Sequence, residues 1–240
     1  MKRSMLLAFV LLFVLTACQQ QWVYEAERNQ RAAAAGQIER VHYDVPPQVI
    51  YRIDEHRFFT LEDYNHCRGE AWYNDTKQGV RTLVSKDIWP LGFKGKLIID
   101  DPTGMNVALP KVATNVCGDR GCMDYVAYST DGGRSFQWAQ YDINSISFDP
   151  VESSKRYKFI VLKDRLYVVQ NDREGVDDYA YVTQYPLIEG INLSKPYPDG
   201  VRGDGFRISS RPETFSKIYT PSGQDHYVCD ELIHDPKVKQ

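Results

Sequence analysis

No residue spacing in this 240-residue chain marks a catalytic centre. It has no Gly-x-Ser-x-Gly elbow, no His-Glu-x-x-His pair and no glycine-rich phosphate loop. Those absences remove the motif-borne hydrolases, zinc peptidases and nucleotide enzymes. Histidine is scarce: His42, His56, His66, His226 and His234 each stand alone, and none is spaced as a base beside a nucleophile. There is no basic block either. Lys and Arg number 29 against 32 Asp and Glu, a formal net charge of −3, which argues against nucleic acid as a partner. No apolar run reaches the ~20 residues of a membrane-spanning helix, and no long 3.6-period amphipathic stretch follows residue 38.

What is present begins at the N-terminus. Lys2 and Arg3 precede an apolar run over residues 5–15, and Leu15-Thr16-Ala17-Cys18 closes it. A charged start, a short apolar core and small residues before a cleavage point form a secretory signal peptide. The last four residues resemble the bacterial lipobox, which implies that Cys18 becomes the lipidated N-terminus. Gln19, in place of an aspartate, implies sorting to the periplasmic side of the outer membrane. Loss of residues 1–17 leaves 240 − 17 = 223 residues and a charge of 27 − 32 = −5, because only Lys2 and Arg3 are charged there. Residues 18–37 are polar and alanine-rich, and read as a lipidated tether with a possible helix over 24–35. A single β-rich domain is expected over residues 38–240.

Four cysteines remain: Cys67, Cys117, Cys122 and Cys229. An even number in an exported chain points to two disulfides, with three possible pairings. The Cys117–Cys122 hexapeptide carries two glycines and suits a local bridge, which leaves Cys67 for Cys229. The alternative is a zinc site built from the Cys-x4-Cys pair with His66 and His226, but its spacing is a loose match. No metal and no cofactor are expected.

From residue 38 the chain is written in short apolar runs parted by turn residues. VHYDV, QVIYRI, RFFTLE, EAWYND, VRTLVS, KLIID and NVAL come first, then DYVAYS, RSFQWAQYD, SISFD, YKFIVL, RLYVVQ and DYAYVTQY. Sixteen tyrosines, ten phenylalanines and four tryptophans suit pleated, half-buried surfaces. About thirteen such strands predict an all-β fold, mainly antiparallel, of sandwich or small propeller-like form, with a short N-terminal helix or tether. YKFIVL and RLYVVQ flank Lys163-Asp164, a two-residue hairpin connection. After residue 190 proline and glycine recur too often for long strands, so residues 190–240 are expected to be loop-rich, with a long surface loop.

Residues 129–136, Ser-Thr-Asp-Gly-Gly-Arg-Ser-Phe, resemble the Asp-box of sialidases and related propellers. Each residue type is explained by a turn. Asp131 accepts local N–H bonds, Ser129 bonds locally, Gly133 takes positive φ and Phe136 packs beneath the hairpin. Only one copy occurs, whereas propellers repeat their blade motif, so a glycosidase reading lacks its frame. The acidic stretch 171–178 does not match the twelve-residue calcium loop. It reads as a solvated loop or as a contact for a basic partner surface, through Asp172, Glu174, Asp177 and Asp178.

Together, lipobox, tether, aromatic β domain, paired cysteines and single Asp-box resemble the lipoprotein immunity proteins that pair with type VI secretion lipase effectors. The stretch from GEAWYNDTKQGV through DPTGMNVALPKVATNVCGDRGCMDYVAYSTDGGRSFQW carries most of the likeness. It implies a non-enzymatic, membrane-anchored protein that binds a secreted phospholipase effector in the periplasm and neutralises it. The competing reading is an Asp-box carbohydrate-binding or glycosidase-like surface lipoprotein.

Overall fold

The computed structural model describes residues 41–113, 117–143, 146–171, 180–211, 215 and 217–235. Period-two alternation builds the first sheet, an antiparallel meander of β1 (Gln48–Arg52), β2 (Arg57–Asn65), β3 (Arg68–Asp75) and β4 (Val80–Ile88). In β3, Gly69, Ala71, Tyr73 and Asp75 point inward while Glu70, Trp72 and Asn74 point out. Each turn of this meander is fixed by side chains. The Asp54 carboxylate accepts the His56 and Arg57 N–H groups, and Asp75 accepts those of Lys77 and Gln78. Between β2 and β3, His66 and Cys67 both sit at positive φ, a conformation that ordinarily calls for glycine or asparagine. Cys67 is tied to Cys229, which holds that turn in place.

The second sheet has the order β10 (Gln137–Gln140), β9 (Tyr125–Ser129), β6 (Val107–Lys111). Pro110 lies in β6, an edge strand, where a missing N–H costs no ladder bond. The third sheet runs β14 (Asp204–Arg207), β13 (Tyr181–Pro186), β12 (Arg165–Gln170), β11 (Tyr157–Val161), β5 (Lys96–Ile99). All its pairings are antiparallel except β5 with β11. The β11–β12 connection is the two-residue Lys163-Asp164 hairpin, closed by the Leu162 N–H to the Arg165 carbonyl at 2.8 Å. A two-stranded ribbon, β7 (Cys117–Gly118) with β8 (Gly121–Cys122), carries the second disulfide. Among the described residues the one α-helix is α1 (Pro150–Ser154), capped by Asp149.

The inner faces of the three large sheets share one core, including Tyr51, Phe59, Leu61, Tyr73, Leu97, Leu109, Tyr128, Phe159 and Val161. Each large apolar side chain fully buried there contributes ~2 kcal/mol or more. The far side of the third sheet has its own cluster, Ile160, Tyr167, Val169, Val182 and Phe206, covered in part by Phe215 and Ile218.

Several expectations are corrected. Residues 41–45 form no strand; Pro46 and Pro47 deny ladder donors until β1 begins. Of the described residues 146–149 only Ser147 makes a bridge, to Cys122. The 190–240 stretch keeps its proline and glycine turns. It contributes β14, and its last part is stitched across the core. The Leu97, Val228 and Ser222 N–H groups bond Asp225, Ile50 and Ile53 carbonyls, while Tyr227 donates to the Pro110 carbonyl. Backbone bonding to separate sheets, rather than strand alternation, holds this segment, and propensity does not report that.

Candidate partner-binding surface

The 129–136 turn is built almost wholly from its own side chains. Ser129 donates to Asp131 Oδ1 at 2.7 Å and accepts the Gly133 N–H at 2.9 Å. Asp131 also accepts the Arg134 and Ser135 N–H groups, each at 3.0 Å, and the Ser135 hydroxyl at 2.5 Å. Partial burial disfavours its charge, yet these hydrogen bonds outweigh that and hold the carboxyl below the ordinary aspartate value. Gly132 donates to the Met105 carbonyl, and Gly133 lies directly on the Tyr73 ring. Phe136 packs edge-on against Phe59 and Tyr73. The octet therefore clamps the second sheet onto the first; Ser129, Asp131 and Ser135 bond within the turn, while the Thr130 hydroxyl accepts the Gly190 N–H at 3.2 Å.

A cleft of about 290 Å³ opens beside this turn, walled by Asp54, His56, Arg57, Asp75, Thr103 and Arg134, among others. Its carboxylates are engaged as turn caps, as described above. Arg57, 8% exposed, is held by Asp54 at 2.6 Å and by the Asp101 carbonyl at 3.1 Å. No acid–base pair is left poised there. Elsewhere His226 contacts Asp225 at 2.5 Å on the surface, and His66 stacks on His234. Neither pair has a serine or cysteine nucleophile within the hydrogen bonds it makes. Among the described residues no cluster of three metal-ligating side chains occurs. All four cysteines of the domain are in disulfides, Cys67–Cys229 and Cys117–Cys122, so none is a thiolate ligand.

Cys18 and the acidic set Asp172, Glu174, Asp177 and Asp178 lie outside the described residues. The structure instead draws attention to the outer face of the first sheet. Phe58 and Trp72 belong to neither buried cluster. The Arg81 guanidinium stacks 3.9 Å over the Trp72 ring and binds Glu62 at 2.6 Å. Trp72 Nε1 donates to Glu70 at 3.0 Å. Arg52 covers Phe58 at 5.1 Å in the same manner. Thr60 donates to Glu62 and accepts from Asn74, which links β2 to β3 across the same face. Two aromatic anchors under guanidinium groups, rimmed by carboxylates and seated on a rigid meander, have the composition of a protein-binding surface.

Sequence reading missed this face, although a signal for it exists. In RFFTLE and EAWYND the alternation puts Phe58 and Trp72 in phase with Thr60, Glu62, Glu70 and Asn74. An aromatic residue on the polar phase of a strand is the anomaly to look for.

No curated protein matches the chain. A family model does, that of the T6SS Tli3 immunity protein, over residues 43–170. The matched span runs from before β1 to the end of β12, and so contains the first two sheets, the disulfide ribbon and the Phe58–Trp72 face. With just over half of its length covered in this way, the chain belongs to the T6SS Tli3 immunity protein family.

Proposed function

We propose that this protein is an envelope-anchored immunity protein that binds a type VI secretion phospholipase effector and keeps it from membrane lipid. The family match over residues 43–170 carries the reading. Three further observations support it. The carboxylates of the octet turn and of its neighbouring cleft are engaged in structural bonds. The Trp72–Arg81 face offers a preorganised docking surface. The Leu15-Thr16-Ala17-Cys18 tetrad resembles a lipobox, which on this reading supplies an anchor.

On this reading the protein acts by binding and not by catalysis. Lipidation at Cys18, with Gln19 behind it, places the inhibitor on the periplasmic side of the outer membrane, where a phospholipid-degrading toxin acts. Tethering raises the local concentration of inhibitor at that surface. The acidic stretch holding Asp172, Glu174, Asp177 and Asp178 offers a second contact for a basic region of the effector.

The test is co-expression with a type VI secretion lipase effector directed to the periplasm. Cells producing the full chain are expected to survive and to retain the lipase in a complex. Failure to bind and failure to protect, together, overturn the proposal. Replacement of Cys18 by serine is expected to leave binding intact while weakening protection.

A further inference from the structure

The cleft beside the octet turn is a charged socket whose structural bonds do not use all of its donors. It stands at one end of the first sheet, where Arg57 begins β2 and Asp75, opposite in register, ends β3. The turns that wall it are tied in pairs by backbone bonds. The Thr76 N–H bonds the His56 carbonyl at 3.0 Å, and the Gly132 N–H bonds the Met105 carbonyl at 2.9 Å. Arg57 joins the two pairs, since its Nη1 donates to the Asp101 carbonyl. Two wall residues, Gly104 and Gly132, are glycines at positive φ. A Cβ on Gly104 would stand 3.3 Å from Arg57 Nη1, and one on Gly132 would stand 2.7 Å from Arg134 Nη1. The glycines therefore leave room in the wall for both guanidinium groups.

The carboxylates of the cleft are spent. Asp54 accepts two N–H groups and Arg57 Nε, and Asp75 caps the turn between β3 and β4. The cations are not spent. Arg57 is buried and uses Nε and Nη1, but its Nη2 has no acceptor among the described residues and is not sealed inside the protein. The Lys77 ammonium, on the exposed rim, has no partner among the described residues. Arg134 is exposed and gives Nη1 to the Asp131 carbonyl. A buried guanidinium with a spare N–H suits an anion, because a charged acceptor recovers the free energy that an unmet donor costs.

Charge and shape narrow the choice of anion. Arg57, Lys77 and Arg134 stand in the walls against Asp54 and Asp75, so one negative charge completes the balance. A phosphate dianion would bring a second charge against those carboxylates. Pro102 and Met105 line the same cleft and suit a methylene stem behind the charge. We infer that this cleft receives an aspartate or glutamate side chain of the effector, its carboxylate on Arg57 Nη2 with Lys77 and Arg134 as the flanking charges. The inference rests on the immunity reading above and adds the chemistry of one contact, at the end of the sheet whose outer face carries Trp72.

Two measurements on the full chain in dodecyl maltoside micelles test it, and both must succeed. In the first, N-acetyl-glutamate methylamide is titrated into isotope-labelled chain. The Arg57 Nε–H resonance is expected to move, with a dissociation constant on the order of 1 mM, while the uncharged N-acetyl-glutamine methylamide leaves it in place. In the second, affinity for a type VI secretion lipase effector that the chain neutralises is compared between wild type and rim variants. Lys77→Glu/Arg134→Glu is expected to bind about 10- to 100-fold more weakly with unfolding unchanged, and Lys77→Gln/Arg134→Gln to lose less. If the wild-type chain binds the effector but the rim variants bind it equally, or the carboxylate probe leaves Arg57 unmoved, the cleft inference is wrong and the immunity reading stands. If inorganic phosphate or glycerol phosphate moves the Arg57 resonance at lower concentration than the carboxylate probe, the cleft is a phosphate site and the inference is likewise overturned. A wild-type chain that neither binds nor neutralises an effector removes the immunity reading first, and the partner assigned to the cleft with it.

Discussion

The octet turn and the outer face of the first sheet make a useful pair. The turn is conspicuous in the sequence, and Ser129, Asp131 and Ser135 are consumed by bonds within a few residues. The outer face has no motif, yet it sets half-buried Phe58 and Trp72 beneath Arg52 and Arg81 on a sheet whose other side is largely buried. A motif that satisfies itself is a structural device. An aromatic face outside both buried clusters is where binding is to be sought. The contrast makes separable predictions, because damage to the turn should cost stability and damage to the face should cost affinity.

Gly133→Ala should do the most harm. An added Cβ would stand 2.0 Å from Tyr73 Cε1, at φ +78°, where an L side chain is strained in any case. Tyr73 cannot withdraw, since Phe59 and Phe136 pack against it. A loss of about 3–5 kcal/mol in chemical denaturation is expected from the clash and the backbone strain together. Affinity for the effector should be unchanged in whatever fraction remains folded. A variant as stable as wild type would show that the octet does not clamp the two sheets.

Two carboxylates at either end of β9 carry the comparison into pH. Asp124 precedes the strand and is 1% exposed. Burial pushes its carboxyl up to about 7, against the Ala113 N–H that bonds it at 2.6 Å, with the Asp142 carboxylate adding to the rise and the Tyr141 hydroxyl opposing it. Asp131 follows the strand and is held below the ordinary value. The signs are therefore opposite. Asp124 keeps its proton longer folded than unfolded, so its contribution favours the fold below about pH 4 and is lost as pH rises to about 7. Asp131 binds its proton less tightly folded than unfolded, so its contribution is present above about pH 4 and lost on acidification. Denaturation across pH should show a maximum near pH 4–5 and a fall on the order of 2–4 kcal/mol toward neutrality. Asp124→Asn should flatten the falling limb; if the limb persists in that variant, its source is another group.

Trp72→Ala reverses the pattern of the turn. With the ring half-buried and outside the core, stability should change by less than about 1 kcal/mol, while affinity for the effector falls at least about tenfold. Thermal unfolding and titration calorimetry on the same preparation separate the two. Equal affinity with lowered stability would return this face to the structural column.

How much of this was legible follows from the range of the interactions. Strand runs and the Lys163-Asp164 hairpin are set by neighbours, so alternation and turn residues revealed them. The octet turn was readable for the same reason. What holds the 190–240 segment was not legible because its order comes from partners far away in sequence, such as Tyr227 on Pro110 and Gln224 on Ile50 and Arg52. The Phe58–Trp72 face escaped because pairing two aromatic residues on one face requires the register of β2 with β3, which places Trp72 opposite Thr60.

The smallest expected effect is also the finest test of the surface. Arg81 lies over the Trp72 ring and shares its other contact with Glu62, whose side chain is 20% exposed against 51% for that of Arg81. An exposed ion pair of this type contributes at most ~1 kcal/mol to stability. On the proposed reading its larger role is to hold the indole in one orientation for the effector. Arg81→Ala is expected to leave unfolding within about 0.5 kcal/mol of wild type and to weaken effector binding about three- to tenfold, mainly through faster dissociation. Arg81→Lys keeps the charge but loses the planar guanidinium that stacks on the ring, and should fall between the two. Were lysine to bind as tightly as arginine, charge alone would account for the residue. An alanine variant matching wild type, beside a weakened Trp72→Ala, would mean that the ring needs no preorganisation, and the guanidinium would be only its cover.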